Sequence, residues 1–208
     1  MKINPRTRNL VVATWFAASM SACRSFAPTP IEEVGFTSRA HTQSRNGITV
    51  TVSVLSADEA RAAFDTQLYK KKIQPIWIEI TNETDEVQWF LPRSVDDNYH
   101  SALEVAQKSH RMWSKKSNQA KREFYFQHQM PFQLPAGETR SGFVFGDRSK
   151  GVRWMKLAVI GDREAEFFEF IITMPCAKET GQMFENLSKL HFVARAGCIV
   201  YRLDHVID

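Results

Sequence analysis

Six consecutive polar residues, DDNYHS at positions 96–101, form the densest group of side chains in this sequence that could carry out chemistry. His100 could serve as a base, with Asp96 or Asp97 orienting its ring and Ser101 acting as the nucleophile of a hydrolase. Neighbours in sequence seldom point at one another, however, and Asp and Asn side chains build turns through their own hydrogen bonds. The hexapeptide therefore favours a structural turn and leaves a hydrolase site as the alternative.

Ser101 has a second role open to it, because Ser101 and Glu104 have the spacing of a capping box that starts a helix. Two adjacent carboxylates supply too few oxygens for Ca²⁺, which prefers six to eight, and the histidines lack the spacing of zinc ligands. The sequence contains no P-loop, HExxH, CxxC or nucleophile-elbow motif. We therefore predict no enzyme activity, metal or cofactor. The candidate site for a ligand or partner comprises Asp96, Asp97, Tyr99 and His100.

The first 22 residues have the layout of an export signal. Lys2, Arg6 and Arg8 give a positively charged start without an acidic residue, and an apolar run of about eleven residues follows at positions 10–20. A membrane-spanning helix needs about 20 apolar residues, so this run is too short to cross a bilayer. We predict that residues 1–22 are a signal peptide that is removed on export.

Removal of this leader would take away three positive charges and no negative ones, so that the formal net charge falls from +4 to +1. Proteins that bind nucleic acids need a concentration of positive charge to neutralise phosphates. We therefore expect no nucleic-acid partner.

Cys23 directly follows the leader, and the tetrapeptide Met20-Ser-Ala-Cys23 resembles the lipobox of bacterial lipoproteins. The resemblance implies that the Cys23 thiol receives a diacylglyceryl group, that cleavage occurs before it, and that the new amine is acylated with a fatty acid such as palmitate. Arg24, rather than Asp, follows the cysteine, which by the same resemblance implies sorting to the outer membrane. The alternative is ordinary cleavage after Ala17-x-Ser19, which would leave Cys23 unmodified.

The cysteine count fits lipidation. There are three cysteines, at positions 23, 176 and 198, and an odd thiol in an exported protein needs an explanation. Lipidation of Cys23 leaves an even pair, Cys176 and Cys198, which could form a disulfide in an oxidising compartment. Two buried free thiols are the alternative.

The elements that must position the hexapeptide are mostly short strands. Positions 48–55 alternate apolar and polar residues, as a half-buried strand does. Ser56 and Glu59 have capping-box spacing and open a predicted helix over 57–71. About seven strands separated by short turns, with one or two helical inserts, fill residues 47–175. Such spacing favours a mainly β fold, an antiparallel β-sandwich of the immunoglobulin-like (Ig-like) kind.

The other segments complete the predicted organisation. Residues 23–46 contain scattered prolines and polar residues and predict a flexible tether, and residues 176–208 form a C-terminal tail of uncertain structure. The basic stretch 111–122 predicts a loop, and 124–126 a strand. Further strands are predicted at 76–80, 88–91, 141–145, 152–160 and 167–174, and the tryptophans expected in the core are Trp77, Trp89 and Trp154.

The body of the chain also resembles a family of uncharacterised bacterial envelope lipoproteins, whose module often precedes a domain similar to the C-terminal region of LssY. The stretches LSADEARAAF, LYKKKIQPIWIEITN, SVDDNYHSALEVA and LPAGETRSGFVFGDRSKGVRWMKLAVIG carry this resemblance, which covers roughly residues 36–175. It implies an envelope module rather than a reaction. Taken with the leader, it predicts a lipid-anchored, non-catalytic protein at the outer membrane that faces the periplasm and binds a protein or a cell-wall component.

Overall fold

The structure is a computed structural model that describes residues 25–110 and 114–174. The described chain is mainly β, with eight strands in two antiparallel sheets and three α-helices. The strands are β1 (His41–Arg45), β2 (Ile48–Val54), β3 (Ile73–Asn82), β4 (Gln88–Leu91), β5 (Gln133–Leu134), β6 (Thr139–Asp147), β7 (Val152–Ile160) and β8 (Ala165–Thr173). The helices are α1 (Ala57–Phe64), α2 (Ala102–Lys108) and α3 (Lys115–Gln127).

Several predictions fall on the rest of the chain. The signal peptide at 1–22, the lipidated Cys23 and the tail at 176–208, with its cysteines Cys176 and Cys198, all lie outside the described residues.

The first sheet has the strand order β1-β2-β3-β6, and the second has the order β5-β4-β7-β8. Alternation sends every second side chain of a strand to the same face, so that Val50 of β2 lies opposite Ile80 of β3. These residues belong to one buried hydrophobic cluster with Leu157 of β7 and Phe168 of β8. The inward faces of both sheets therefore contribute to a common core.

Three of the predicted strand segments are confirmed closely. The alternating segment at 48–55 is β2, whose residues are mostly buried. The segments at 152–160 and 167–174 are β7 and β8, which pair as antiparallel neighbours on either side of Gly161 and Asp162. The mainly β character and the antiparallel pairing of the prediction are thus correct.

A second hydrophobic cluster lies between the three helices and the first sheet. Phe64 at the end of α1 stacks on Tyr125 of α3, with ring centroids 5.1 Å apart. The same Phe64 ring meets Phe143 and Phe145 of β6 edge-on, at 5.0 and 5.5 Å. Edge-to-face and offset contacts are the favoured geometries of aromatic pairs, so that the helices are fixed over one end of this sheet.

The predicted helix over 57–71 is shorter than expected. The capping box at its start is present, because Ser56 accepts a hydrogen bond from the Glu59 amide and Glu59 accepts one from the Ser56 amide. The helix ends at Phe64, where Asp65 adopts a left-handed conformation with φ of 41°. A separate 3-10 turn then spans Leu68–Lys71, so the apolar spacing of the prediction crossed a helix end.

The predicted loop at 111–122 and the strand at 124–126 are wrong for the described residues, because α3 covers Lys115–Gln127. Aromatic residues favour strands only weakly, and packing overrides that preference. On the helix, Tyr125 is fully buried whereas Phe126 is 69% exposed. The stacking of Tyr125 on Phe64 supplies the tertiary contact that the local sequence did not reveal.

The tether predicted for 23–46 is too long at its C-terminal end. Phe36 is buried, and its carbonyl oxygen accepts a hydrogen bond of 2.7 Å from the Ser53 hydroxyl. Strand β1 then pairs with β2 through a tight turn at Asn46 and Gly47, whose φ values of 48° and 75° suit that pair of residues. All β1 side chains are exposed, so the strand has no apolar alternation by which to be recognised.

Candidate functional site

Asp96 is the most strongly bound residue of the predicted polar cluster. Its carboxylate forms an ion pair with Arg153 of β7, and the two side chains are only 13% and 4% exposed. The same carboxylate accepts hydrogen bonds from the backbone amides of Asn98, at 2.8 Å, and Asp147, at 2.9 Å. Asp96 therefore ties the hexapeptide to the second sheet and does not orient His100.

Arg153 is a buried cation that the sequence interpretation missed. Its Nη1 donates hydrogen bonds to the Gln74 side chain at 2.9 Å and to the Asp147 carbonyl at 2.7 Å. A Cβ atom at Gly146 would collide with the side chains of both Asp96 and Arg153, so that a larger residue there would have to displace this ion pair. A buried charge must be paired and hydrogen-bonded to be tolerated. Both Nη atoms of Arg153 meet that condition, whereas its buried Nε has no hydrogen-bond partner among the described residues.

A sequence signal for this network did exist. Arg153 has the same strand parity as Met155 and Leu157, which are inward-facing core residues of β7. An arginine at such a position requires a carboxylate partner within the fold. The partner, Asp96, lies 57 positions earlier in the chain, and the strand pattern alone could not identify it.

His100 contacts Asp147 rather than the aspartates beside it in sequence. Its Nε2 lies 3.3 Å from the Asp147 carboxylate and its Nδ1 lies 3.2 Å from the Lys108 ammonium. Lysine can only donate, so Nδ1 accepts and Nε2 donates in the neutral ring. Both ring nitrogens are thus engaged, and the His100 side chain is only 16% exposed.

Ser101 is engaged with the helix that follows it. Its hydroxyl accepts a hydrogen bond of 3.3 Å from the Glu104 amide and donates one of 3.1 Å to the Glu104 carboxylate. The hydrogen bond of 2.8 Å from the Ser101 amide to the Glu104 carboxylate, and after it the bond from the Ser101 hydroxyl, lower the pKa of Glu104. The predicted capping box is confirmed, and the structure contains no hydrogen bond between Ser101 and His100.

The other two candidate residues stand apart from this chemistry. Tyr99 is half-buried against the core cluster, and burial raises the pKa of its hydroxyl. Asp97 is exposed. Within residues 25–110 and 114–174 there is no group of three or more His, Cys, Asp or Glu side chains that could hold a metal ion.

A cleft of about 280 Å³ lies on the helical side of the molecule, away from this cluster. Its lining includes Arg61 and Lys71 together with Asp65, so charges of both signs face it. The buried Lys121 also lines it and donates a hydrogen bond of 3.0 Å to the carbonyl of Ser109. Its lining shows no arrangement specific to one ligand.

The outer face of the second sheet presents a different kind of surface. Its side chains point away from the common core, and many of them are large and apolar. Trp154 is 62% exposed and Ile171, directly opposite on β8, is 71% exposed. We name this surface the apolar face, and define it by Trp89, Leu91, Val152, Trp154, Ile160, Phe167 and Ile171.

The apolar face overturns the placement predicted for two tryptophans. Trp89 is 48% exposed, and with Trp154 it lies on the outward parity of its strand rather than in the core. Of the three predicted core tryptophans, Trp77 is half-buried, and its ring centroid lies 5.7 Å from that of Phe36. An apolar side chain can lie on either face of a strand, and the sequence pattern did not reveal that the described chain would leave one of these faces uncovered.

The β8 edge of the second sheet is covered by side chains of β1, in contrast to the outer face of this sheet. Gln43 of β1 donates a hydrogen bond of 2.7 Å to the Glu169 carbonyl of β8, and Arg45 donates one of 3.3 Å to the Phe167 carbonyl. An edge strand normally offers such carbonyls to another chain. Side chains of β1 occupy two of them here, so that the apolar face is the more open surface of this sheet.

No protein family model matches this sequence, and no curated protein matches it. In the part of the chain that the structure describes, every helix is too short or too polar to cross a bilayer.

Proposed function

We propose that this protein is a lipid-anchored module of the bacterial cell envelope, attached through Cys23, that binds a protein partner through the apolar face. The anchor rests on the charged leader, the short apolar run and the lipobox-like Met20-Ser-Ala-Cys23. Its resemblance to envelope lipoproteins favours an outer-membrane position facing the periplasm. The apolar face is the single observation that carries the binding function.

Physical reasoning links the apolar face to a partner. Soluble proteins rarely leave a large contiguous apolar patch in contact with water, and such patches mark interaction sites. Tryptophan and phenylalanine are enriched at protein interfaces, and the apolar face contains Trp89, Trp154 and Phe167. A cell-wall component is the weaker choice of partner, since small-molecule sites are concave and hold a few convergent polar groups. Near the centre of this face only Lys156 and Glu169 are charged.

For the architecture, we propose that the two sheets pack face to face as a β-sandwich. The support is the common cluster, to which the inward residues of both sheets contribute. The Ig-like description applies to this two-layer architecture. The strand order is its own, because β2 and β3 are neighbours in one sheet, whereas immunoglobulin constant domains have the orders ABED and CFG.

We propose further that the module is not catalytic. Asp96 is committed to Arg153, and His100 has Asp147 and Lys108 on its two ring nitrogens. The hydroxyl of Ser101 caps α2. A nucleophile needs a base within hydrogen-bond reach, and this cluster instead supports a structural role that joins the loop to both sheets.

The anchor is tested by replacing its cysteine. We expect Cys23→Ala to move the protein from the membrane fraction to the soluble extract and to abolish labelling with a palmitate analogue. Cys23 is the residue that the lipobox would modify, so Cys176→Ala serves as the matched control and should retain both properties. A Cys23→Ala protein that stays in the membrane fraction with its label intact would contradict the anchor.

The binding face is tested in cells with a photo-crosslinking amino acid. Placed at Trp154, it should yield discrete protein adducts on illumination. Placed at Thr42, which is exposed and on the outer side of the first sheet, it should yield none. Equal labelling from both positions, or no adduct from position 154, would contradict binding through the apolar face.

A further inference from the structure

We propose that the partner of the apolar face is a second copy of this chain, bound face to face about a two-fold axis that runs along the strands between β7 and β8. The inference rests on the proposed function, because it names the occupant of the same surface. Homo-oligomers most often form two-fold dimers, in which one patch must complement itself. The pairing of β7 and β8 meets that requirement.

The charges of this face are placed symmetrically. Strands β7 and β8 form nine residue pairs, from Val152 opposite Thr173 to Ile160 opposite Ala165, and the middle pair is Lys156 opposite Glu169. An axis midway between the two strands exchanges the two positions of every pair. Lys156 of one copy then meets Glu169 of the other, and Glu169 meets Lys156, so that two ion pairs form across the interface.

Each charge is available for the other copy. The structure has no ion pair within 4.0 Å between Lys156 and Glu169 of the same chain, although they are direct cross-strand neighbours. The Lys156 ammonium instead lies 4.2 Å from the centre of the Phe167 ring. This cation–π contact holds the ammonium over the apolar face and leaves the Glu169 carboxylate to the opposing lysine.

The shapes of the same pairs also fit this axis. Trp154 lies opposite Ile171, and these are the two most exposed apolar side chains of the face. The axis stacks them on each other across the interface. Phe167 lies opposite Ala158, a small residue that is only 3% exposed. The bulky ring of one copy therefore meets the small side chain of the other, which is the complementarity that close packing requires.

Other modes of self-association fit less well. Strand pairing at the edge of β8 would have to displace Gln43 and Arg45 from the carbonyls they cover. An axis across the strands, rather than along them, would place Lys156 on Lys156 and Glu169 on Glu169. Like charges brought together at an interface oppose binding, so the axis along the strands is the favoured arrangement.

The test uses two differently tagged copies of the full chain in one cell, with recovery of the second tag measured after purification through the first. Wild-type copies should co-purify. Lys156→Glu in both copies, or Glu169→Lys in both, should reduce recovery at least tenfold, because like charges then meet twice. One copy with Lys156→Glu and the other with Glu169→Lys should restore it, since both ion pairs can form again, one with reversed signs and one with the original signs.

Lys70→Glu is the control, because Lys70 is an exposed lysine of the 3-10 turn Leu68–Lys71 and lies off the apolar face. It should leave recovery unchanged, and circular dichroism should show that every variant folds. Wild-type copies that do not co-purify, or single variants that fail to complement each other, overturn the dimer. If adducts from position 154 then contain another protein, the proposed function stands without the dimer; if there are none, both fail.

Discussion

The outward-facing residues of the two sheets differ in what lies over them. On the first sheet, Phe143 and Phe145 point outward but are 2% and 1% exposed, because the helices pack on them. Further along the same face the outward residues are hydroxyl-bearing pairs, such as Thr42 with Thr51 at 2.9 Å. On the second sheet, outward residues of the same apolar type remain in contact with solvent.

Chain connectivity explains this difference. Helix α1 lies between β2 and β3, and helices α2 and α3 lie between β4 and β5. All three helices contribute residues to the hydrophobic cluster over the first sheet. Among the described residues, no α-helix contributes to the core cluster that includes the second sheet. The molecule thus uses its helical segments to bury one outer face. The rest of the described chain leaves the apolar face open, and for this reason we propose it as the binding surface.

The sharpest comparison replaces one phenylalanine on each outer face. Phe64→Ala removes a fully buried ring that contacts four other rings, and it should lower the free energy of unfolding by about 4 kcal/mol. Phe167→Ala removes a ring that is 43% exposed, and it should cost less than about 1 kcal/mol, chiefly through its contact with Lys156. Urea denaturation of both variants at low protein concentration measures the difference.

Equal losses in the two phenylalanine variants would contradict the comparison, because they would mean that Phe167 is as well covered as Phe64. The slope of the urea transition should stay the same in both. A changed slope would show that a variant altered the extent of structure rather than its stability.

Neighbouring cations on β7 provide the second comparison. Arg153→Met removes one partner of the buried ion pair and leaves Asp96 without its counter-charge, which should cost about 3 kcal/mol. Lys156→Met removes a half-exposed ammonium from the outer face and should change stability by less than about 0.5 kcal/mol. Thermal unfolding of the pair at neutral pH distinguishes the inward from the outward side of the same strand.

A double variant controls this second comparison. If the loss in Arg153→Met arises from an uncompensated carboxylate, adding Asp96→Asn should recover part of it. The two residues would instead act separately if the double variant were less stable than Arg153→Met by the full cost of Asp96→Asn alone.

Much of the β framework could be predicted from local patterns. The strand β2 alternates strictly, and the starts of α1 and α2 carry capping boxes whose partners are three residues apart. These signals are local, and the structure contains them where the sequence placed them. By contrast, the β1 strand is polar throughout and the α3 helix contains an aromatic triplet. Both depend on tertiary pairing that no local window contains.

The candidate site was predictable only in part, for the same reason. The turn at Asp96 and the cap at Ser101 involve neighbours in sequence. The bonds of Asp96 to Arg153 and of His100 to Asp147 join residues 57 and 47 positions apart. The apolar face was missed because an outward and an inward apolar residue have the same composition, and only the location of the helices separates them.

Alkaline pH tests the covered face on its own. Burial raises the pKa of Tyr125 to about 12, whereas an exposed tyrosine titrates near 10. Because the pKa of Tyr125 is higher in the folded than in the unfolded protein, Tyr125 contributes stability that is fully present below pH 10. This contribution is lost as the pH rises towards 12. The wild type should lose on the order of 2 kcal/mol over that interval, and Tyr125→Phe should lose measurably less. Identical alkaline transitions in wild type and Tyr125→Phe would mean that Tyr125 is not buried between the helices and the first sheet.

The smallest expected effects lie in the loop that joins the two sheets. Ser101→Ala removes the cap of α2 and should cost about 1 kcal/mol at neutral pH. Hydrogen bonds from Ser101 lower the pKa of Glu104, so the contribution is present above the ordinary pKa of a glutamate and is lost as the pH falls through the lowered value. The difference in melting temperature between wild type and Ser101→Ala should therefore shrink in acid by the share that the hydroxyl's bond to the Glu104 carboxylate contributes, because the Ser101 amide keeps its own bond in the variant. His100→Gln, at a contact that is partly open to solvent, should cost less than about 1 kcal/mol. If His100→Gln melts like the wild type yet abolishes the adducts formed from position 154 or a cellular phenotype, His100 has a chemical role and the hydrolase alternative takes precedence.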